Sequence, residues 1–115
     1  MITQIIGRLV EKSPTQVVID CHGIGYEVNI SLNTYSQLGD DENIKLFTHL
    51  QIREDSHTLF GFFTPMERSV FRLLLSVSGI GASIARTMLS SLEPQQIQRA
   101  IVTEDLNTIK SVKGI

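Results

Sequence analysis

Apolar residues recur with a period of two along the first part of the chain and at three- and four-residue spacing along the rest. In the first part, Ile2 to Val10 is rich in isoleucine, valine and leucine, and Gln16 to Cys21 carries Val17, Val18 and Ile19. His22-Gly23-Ile24-Gly25 is a turn signal, beyond which Tyr26, Val28 and Ile30 alternate with Glu27 and Asn29. Such alternation puts one face of a strand in a core and the other toward water. Leu32 to Leu38 reads as a short helix or an irregular crossover, and Gly39-Asp40-Asp41-Glu42-Asn43 as a polar turn. From Ile44 to Ile52 the alternation returns, with Ile44, Leu46, Thr48, Leu50 and Ile52 sharing a side. Arg53-Glu54-Asp55-Ser56 is a charged break that predicts an exposed hairpin tip, and His57 to Phe63 is a last strand.

The second part opens on a strong helix start: Thr64 can cap, Pro65 suits the first helical position, and Glu67 would complete a capping box. Val70, Phe71, Leu74 and Val77 follow at helical spacing, and Gly79 is placed to end that helix. A second helix is expected from Ala82 to about Ser91, with Ile84, Ala85, Met88 and Leu89 inward. Pro94 opens a third, carrying Ile97, Ala100 and Ile101; Thr103 caps a short fourth with Leu106 and Ile109. The pattern therefore predicts an α+β chain. A five-stranded closed β-barrel of the OB type would occupy residues 1–63, and an all-α domain residues 64–115.

Composition narrows this picture. Apolar residues make up 42% of 115 residues, enough for a packed core. No apolar run approaches the roughly 20 residues that span a membrane, and no basic region followed by an apolar stretch marks a signal peptide. A single cysteine, Cys21, sits in a strand-like run and reads as a buried, inert thiol in a reducing cytoplasm. The net charge of −2 argues against a nucleic-acid binder until it is divided. Up to Phe62 there are four basic and eight acidic residues; from Phe63 onward there are six basic and four acidic.

The segment that carries chemistry is Leu74-Leu75-Ser76-Val77-Ser78-Gly79-Ile80-Gly81-Ala82-Ser83-Ile84-Ala85, read as helix, Gly-apolar-Gly, helix. Two glycines permit a tight turn with positive φ and close approach of a ligand to the backbone, while Ile80 can plug the gap between the helices. Backbone N–H groups of Gly81, Ala82 and Ser83 at the start of the second helix would then receive a phosphate, with Arg86 nearby. Such a contact carries no base information. Ile109-Lys110-Ser111-Val112-Lys113-Gly114-Ile115 repeats the pattern, placing Lys113 and Gly114 in a second turn that is cut short. A plain αα-hairpin with a glycine turn is the simpler alternative for either copy alone.

Several stretches together resemble the RuvA family of bacterial Holliday-junction branch-migration subunits. They are Glu11-Lys12, Gly23-Ile24-Gly25-Tyr26-Glu27-Val28, Phe47-Thr48-His49-Leu50, Arg53-Glu54-Asp55, Leu59-Phe60-Gly61-Phe62, Glu67-Arg68 and Gly79-Ile80-Gly81. The resemblance implies an OB-fold domain, two helix-hairpin-helix motifs and a third domain, absent here, that contacts the RuvB motor ATPase. It further implies a homotetramer, a role in homologous recombination, DNA repair and the SOS response, and the RuvC resolvase as a possible partner. Glu54 and Asp55 match the family's acidic pin. One departure stands out: where the family often has a lysine after the first Gly-x-Gly, this chain has Ala82 and Ser83.

Other chemistries find less support. His22, His49 and His57 lack metal-like spacing, and Asp40-Asp41-Glu42 reads as a solvated turn. No P-loop pattern occurs, so ATP hydrolysis would fall to a partner. No nucleophile–base pair stands out, and neither a metal nor a cofactor is expected. The aromatic residues mostly occupy alternating apolar faces, which favours core over base stacking. Two alternatives remain at this level: a DNA-binding fragment of a helix-hairpin-helix repair enzyme, and a single-strand-binding OB protein.

Overall fold

The computed structural model describes residues 1–39 and 42–102. Five strands, β1 (Gln4–Lys12), β2 (Gln16–Cys21), β3 (Ile24–Ile30), β4 (Asn43–Arg53) and β5 (Ser56–Phe62), close into a barrel in the order β1-β2-β3-β5-β4. Helix α1 (Leu32–Leu38) joins β3 to β4, so the short segment that the pattern left open is helical. Neighbouring strands pair antiparallel except β3 and β5, which run parallel where Ile30 lies beside Gly61. A Cβ on Gly61 would come within 2.5 Å of Val28 and 2.9 Å of Leu46, so this closure needs a residue without a side chain. The topology is that of the expected OB-type barrel.

The predicted alternation fills the interior with Ile5, Val17, Ile19, Val28, Ile30, Ile44, Leu46 and Leu59, and Leu38 of α1 is buried with them. Two expectations change. Ile52 shares the parity of Ile44 and Leu46 but is 57% exposed, because β4 and β5 outrun the barrel and end as a free hairpin. Cys21 is half-buried rather than buried, with its thiol donating to the Ile6 carbonyl at 3.4 Å. Burial first, and the Asp20 charge second, push that thiol above its usual range, which keeps it in the unreactive protonated form.

Three helices follow: α2 (Pro65–Leu75), α3 (Ala82–Ser91) and α4 (Pro94–Val102). Their core is not separate from the barrel's last strand. Phe60 and Phe62 of β5 pack with Val70, Phe71, Leu74, Met88, Leu89 and Ile97, and the Phe71 ring centre lies 5.1 Å and 4.9 Å from those of Phe60 and Phe62. The expected fourth helix, from Thr103, lies outside the described residues.

The start of α2 is only half a capping box. The Thr64 hydroxyl accepts from the Glu67 amide at 3.2 Å, as predicted, and Pro65 opens the helix. The Glu67 carboxylate does not turn back to Thr64. It is fully buried and accepts from the Ser31 hydroxyl at 2.5 Å and from the Thr34 hydroxyl of α1. Each hydroxyl in turn accepts a backbone N–H, Ser31 from Thr34 and Thr34 from Phe63, both at 3.1 Å. The hydroxyl protons are thereby directed at the carboxylate, which has no cation beside it among the described residues. Burial pushes its pKa above the usual carboxylate range, against the opposing pull of the Ser31, Thr34 and Phe63 bonds. Glu67 thus ties the first helix of the second part to the barrel's own helix.

Candidate nucleic-acid interface

Between α2 and α3 the chain makes a compact turn. Helix α2 stops at Leu75, four residues before Gly79, so Gly79 closes the turn rather than the helix. Val77 sits at helical spacing from Leu74, yet its amide bonds back only three residues, to the Leu74 carbonyl at 3.0 Å. The Ile80 amide then reaches Val77 at 3.2 Å, and Ile80 is buried in the helical core, filling the predicted gap.

The two glycines have different reasons to be there. Gly79 has φ +85°, a left-handed conformation that side chains disfavour. Gly81 does not share it: at φ −96° and ψ −178° it is extended, as any residue can be, and a Cβ built on it meets nothing within 4 Å. The expectation of positive φ at both positions therefore holds for Gly79 alone. Gly81 occupies the N-cap of α3 without a side-chain acceptor, and its carbonyl receives the first helical bond from the Ala85 amide at 2.9 Å. The first-turn amides around Ala82 and Ser83 are left without a side-chain cap, at the positive end of a ten-residue helix. Ala82 is buried and holds the turn to the core, whereas Ser83 is exposed.

Comparison with known proteins places this geometry. The RuvA N terminal domain family matches residues 1–61, and the SAM-like Helix-hairpin-helix tandem family matches residues 71–115. The chain belongs to the RuvA family. Over all 115 residues it is 64% identical to the protein named Holliday junction branch migration complex subunit RuvA from Flavobacterium psychrophilum. Proteins of the same name from Christiangramia forsetii and Cytophaga hutchinsonii are 58% and 52% identical over the same span. The chain spans 60%, 60% and 58% of the length of those three relatives.

Within this RuvA-family chain the remaining site residues separate. Glu54 and Asp55 form the two-residue turn of the β4–β5 hairpin, between the paired Arg53 and Ser56, and all four are exposed. Arg86 reaches back to the barrel. Its guanidinium donates to the Thr15 carbonyl at 3.3 Å and the Asn29 side-chain oxygen at 3.2 Å, both on the barrel. Ser90, one turn further along α3, accepts from the Leu32 amide at 3.0 Å, so the helix edge that carries Arg86 is laid against the barrel. These bonds hold Arg86 against the barrel through one nitrogen of its guanidinium. Lys113 and Gly114 lie outside the described residues.

Sequence reasoning missed the polar groups that mount the helices on the barrel. Besides Glu67 and Arg86, Arg68 donates to the Thr3 carbonyl at 2.7 Å and Arg72 to His49 Nδ1 at 3.3 Å. Arg68 and Arg72 stand one turn apart on α2, and Lys45, Phe47 and His49 alternate with the buried residues of β4; those were the available signals. Among the described residues no group of His, Cys, Asp and Glu could hold a metal ion, and no helix is long and apolar enough to cross a membrane.

Proposed function

We propose that this chain grips four-way DNA junctions through their phosphate backbone, without sequence preference and without catalysing a reaction itself. The observation that carries the reading is the α2–α3 turn. Gly81 is a glycine that neither backbone conformation nor internal packing requires, standing before uncapped helix amides. A backbone oxygen of DNA needs that clearance and those donors. Gly79, Ile80, Gly81, Ala82 and Ser83 form the contact, with Lys113 and Gly114 supplying a second one of the same kind.

The family supports the wider reading. The protein acts as a homotetramer, with one hairpin pair for each junction arm, in cytoplasmic recombination and repair. The RuvB ATPase supplies the motor through a region beyond Ile115, and the RuvC resolvase is a further partner. Glu54 and Asp55 act as an acidic pin where strands exchange: negative charge repels phosphate and disfavours continuous duplex across the centre. The test is a gel shift comparing a four-way junction, a linear duplex and a single strand at one salt concentration. The junction is expected to bind most tightly. Tightest binding to single strands would instead favour the single-strand-binding OB reading.

A further inference from the structure

One charged surface takes no part in the proposed hairpin contact. Lys45, Phe47 and His49 occupy alternate positions of β4, out of phase with the buried Ile44, Leu46 and Thr48. Helix α2 brings Arg68 and Arg72 to the same place. The Lys45 ammonium lies 4.9 Å from the centre of the Phe47 ring, and the Arg68 guanidinium 5.5 Å from it. Arg72 donates to His49 Nδ1, which requires a lone pair on that nitrogen and hence an imidazole that is not doubly protonated. Burial first, then the charges of Arg72 and Arg68, hold His49 below its usual range.

Three permanent cations are thus gathered with no anion among them. The one ion pair among the described residues joins Arg8 to Asp20 at 3.6 Å, on β1 and β2. Gathering like charges costs Coulomb energy, and the Phe47 ring and the Thr3 carbonyl meet the cations with quadrupole and dipole but with no counter-charge. An external anion would supply one. The strip also has a direction. Arg72 lies in the last turn of α2, and the chain runs from there through Ser76 into the α2–α3 turn.

We propose that Lys45, Arg68 and Arg72 form a second DNA-backbone contact, taking phosphates that flank those held at the Gly79–Ser83 turn. The proposal rests on the reading of the chain as a DNA binder. Phe47 serves as a platform for the cations and not as a base-stacking surface. Charge from this strip would stand in for the lysine that the family often carries at the turn, where this chain has Ala82 and Ser83.

The test measures the dependence of junction and duplex affinity on salt, in the intact protein and in its Lys45→Gln/Arg72→Gln variant. Each phosphate contact contributes about 0.9 to the slope of log affinity against log salt. The double variant is expected to lower that slope by roughly 2 for each protomer that contacts the DNA, on junction and duplex alike, and Lys45→Gln alone by about half as much. A charge-keeping Lys45→Arg/Arg72→Lys variant should leave it unchanged. Circular dichroism melts check that each variant is folded, because Arg72→Gln also gives up the bond to His49. An unchanged slope in the double variant, with normal binding by the parent, overturns this inference and leaves the proposed function standing. A double variant that fails to self-associate in sedimentation, with its slope per protomer intact, also overturns it by assigning the strip to a subunit contact. A parent that binds no DNA at all removes the proposed function and this inference together.

Discussion

The β4–β5 turn and the α2–α3 turn are both exposed, yet they are built from opposite materials. The first displays two carboxylates, Glu54 and Asp55, at the end of a hairpin that has left the barrel core. The second displays almost no side chain: a left-handed Gly79, a buried Ile80, and Gly81 standing in open space before helix amides. Side-chain charge of the first kind disfavours a polyanion nearby, while an uncapped helix N-terminus of the second kind favours one. A net charge of −2 describes neither turn. What a surface offers to phosphate depends on where charge and free N–H groups stand, and a helix N-terminus can offer donors without any side-chain charge.

Breaking each turn should produce effects of different kinds and sizes. The largest effect on stability is expected at Gly79, where an alanine must take a left-handed conformation. Gly79→Ala should cost about 1–2 kcal/mol, whereas Gly81→Ala, which only puts a poorer residue at the N-cap of α3, should cost less, about 0.5–1 kcal/mol. Chemical denaturation of the two variants checks this, and equal losses would erase the distinction between the glycines.

The mounting of the α2–α3 turn on the barrel should carry a pH signature through Glu67. Its carboxyl is raised in the folded state, so the folded chain holds that proton more tightly than the unfolded chain. The resulting stability is fully present below the ordinary value of 4.5 and is lost as pH rises through the folded value. Melting temperatures of the parent, relative to Glu67→Gln, should therefore fall as pH increases above 4.5. A difference that is flat with pH would contradict the assignment.

Smaller effects are expected at the acidic turn. Glu54→Gln with Asp55→Asn should tighten linear-duplex binding about two- to fivefold, on the scale of exposed charge interactions, and reduce preference for the junction. Arg53 beside the pair limits the gain. An unchanged or rising junction-to-duplex ratio would make the pair an ordinary solvated turn. The smallest change concerns His49. Arg72→Gln removes one of the charges that lower its pKa, so its titration midpoint by NMR should move upward.

How much of this was legible in the sequence differs between local and distant relations. The barrel strands follow from alternation, because one buried face imposes a period of two. The seven residues of α1 are too few for either period to decide. Val77 misled because helical spacing continued past Leu75, while the backbone had already turned to three-residue bonds. Glu67 read as a capping residue because its neighbour Thr64 is adjacent in sequence; its actual partners Ser31 and Thr34 lie 36 and 33 residues away. The bond from Arg86 to the barrel was hidden for the same reason, since its acceptor Thr15 is 71 residues distant. Local patterns state which elements form, and only packing states which polar group each side chain meets.

The central claim is that the α2–α3 turn receives DNA through its backbone, and the most direct measurement is junction affinity of Gly81→Val in the intact protein. Hydrogen bonds to a charged group contribute about 1.5–3 kcal/mol each. Losing one should therefore weaken binding by roughly tenfold to a hundredfold, with the fold retained, because a Cβ at this position meets nothing within 4 Å. Junction affinity equal to the parent's, in a folded Gly81→Val protein, would show that the turn only connects two helices.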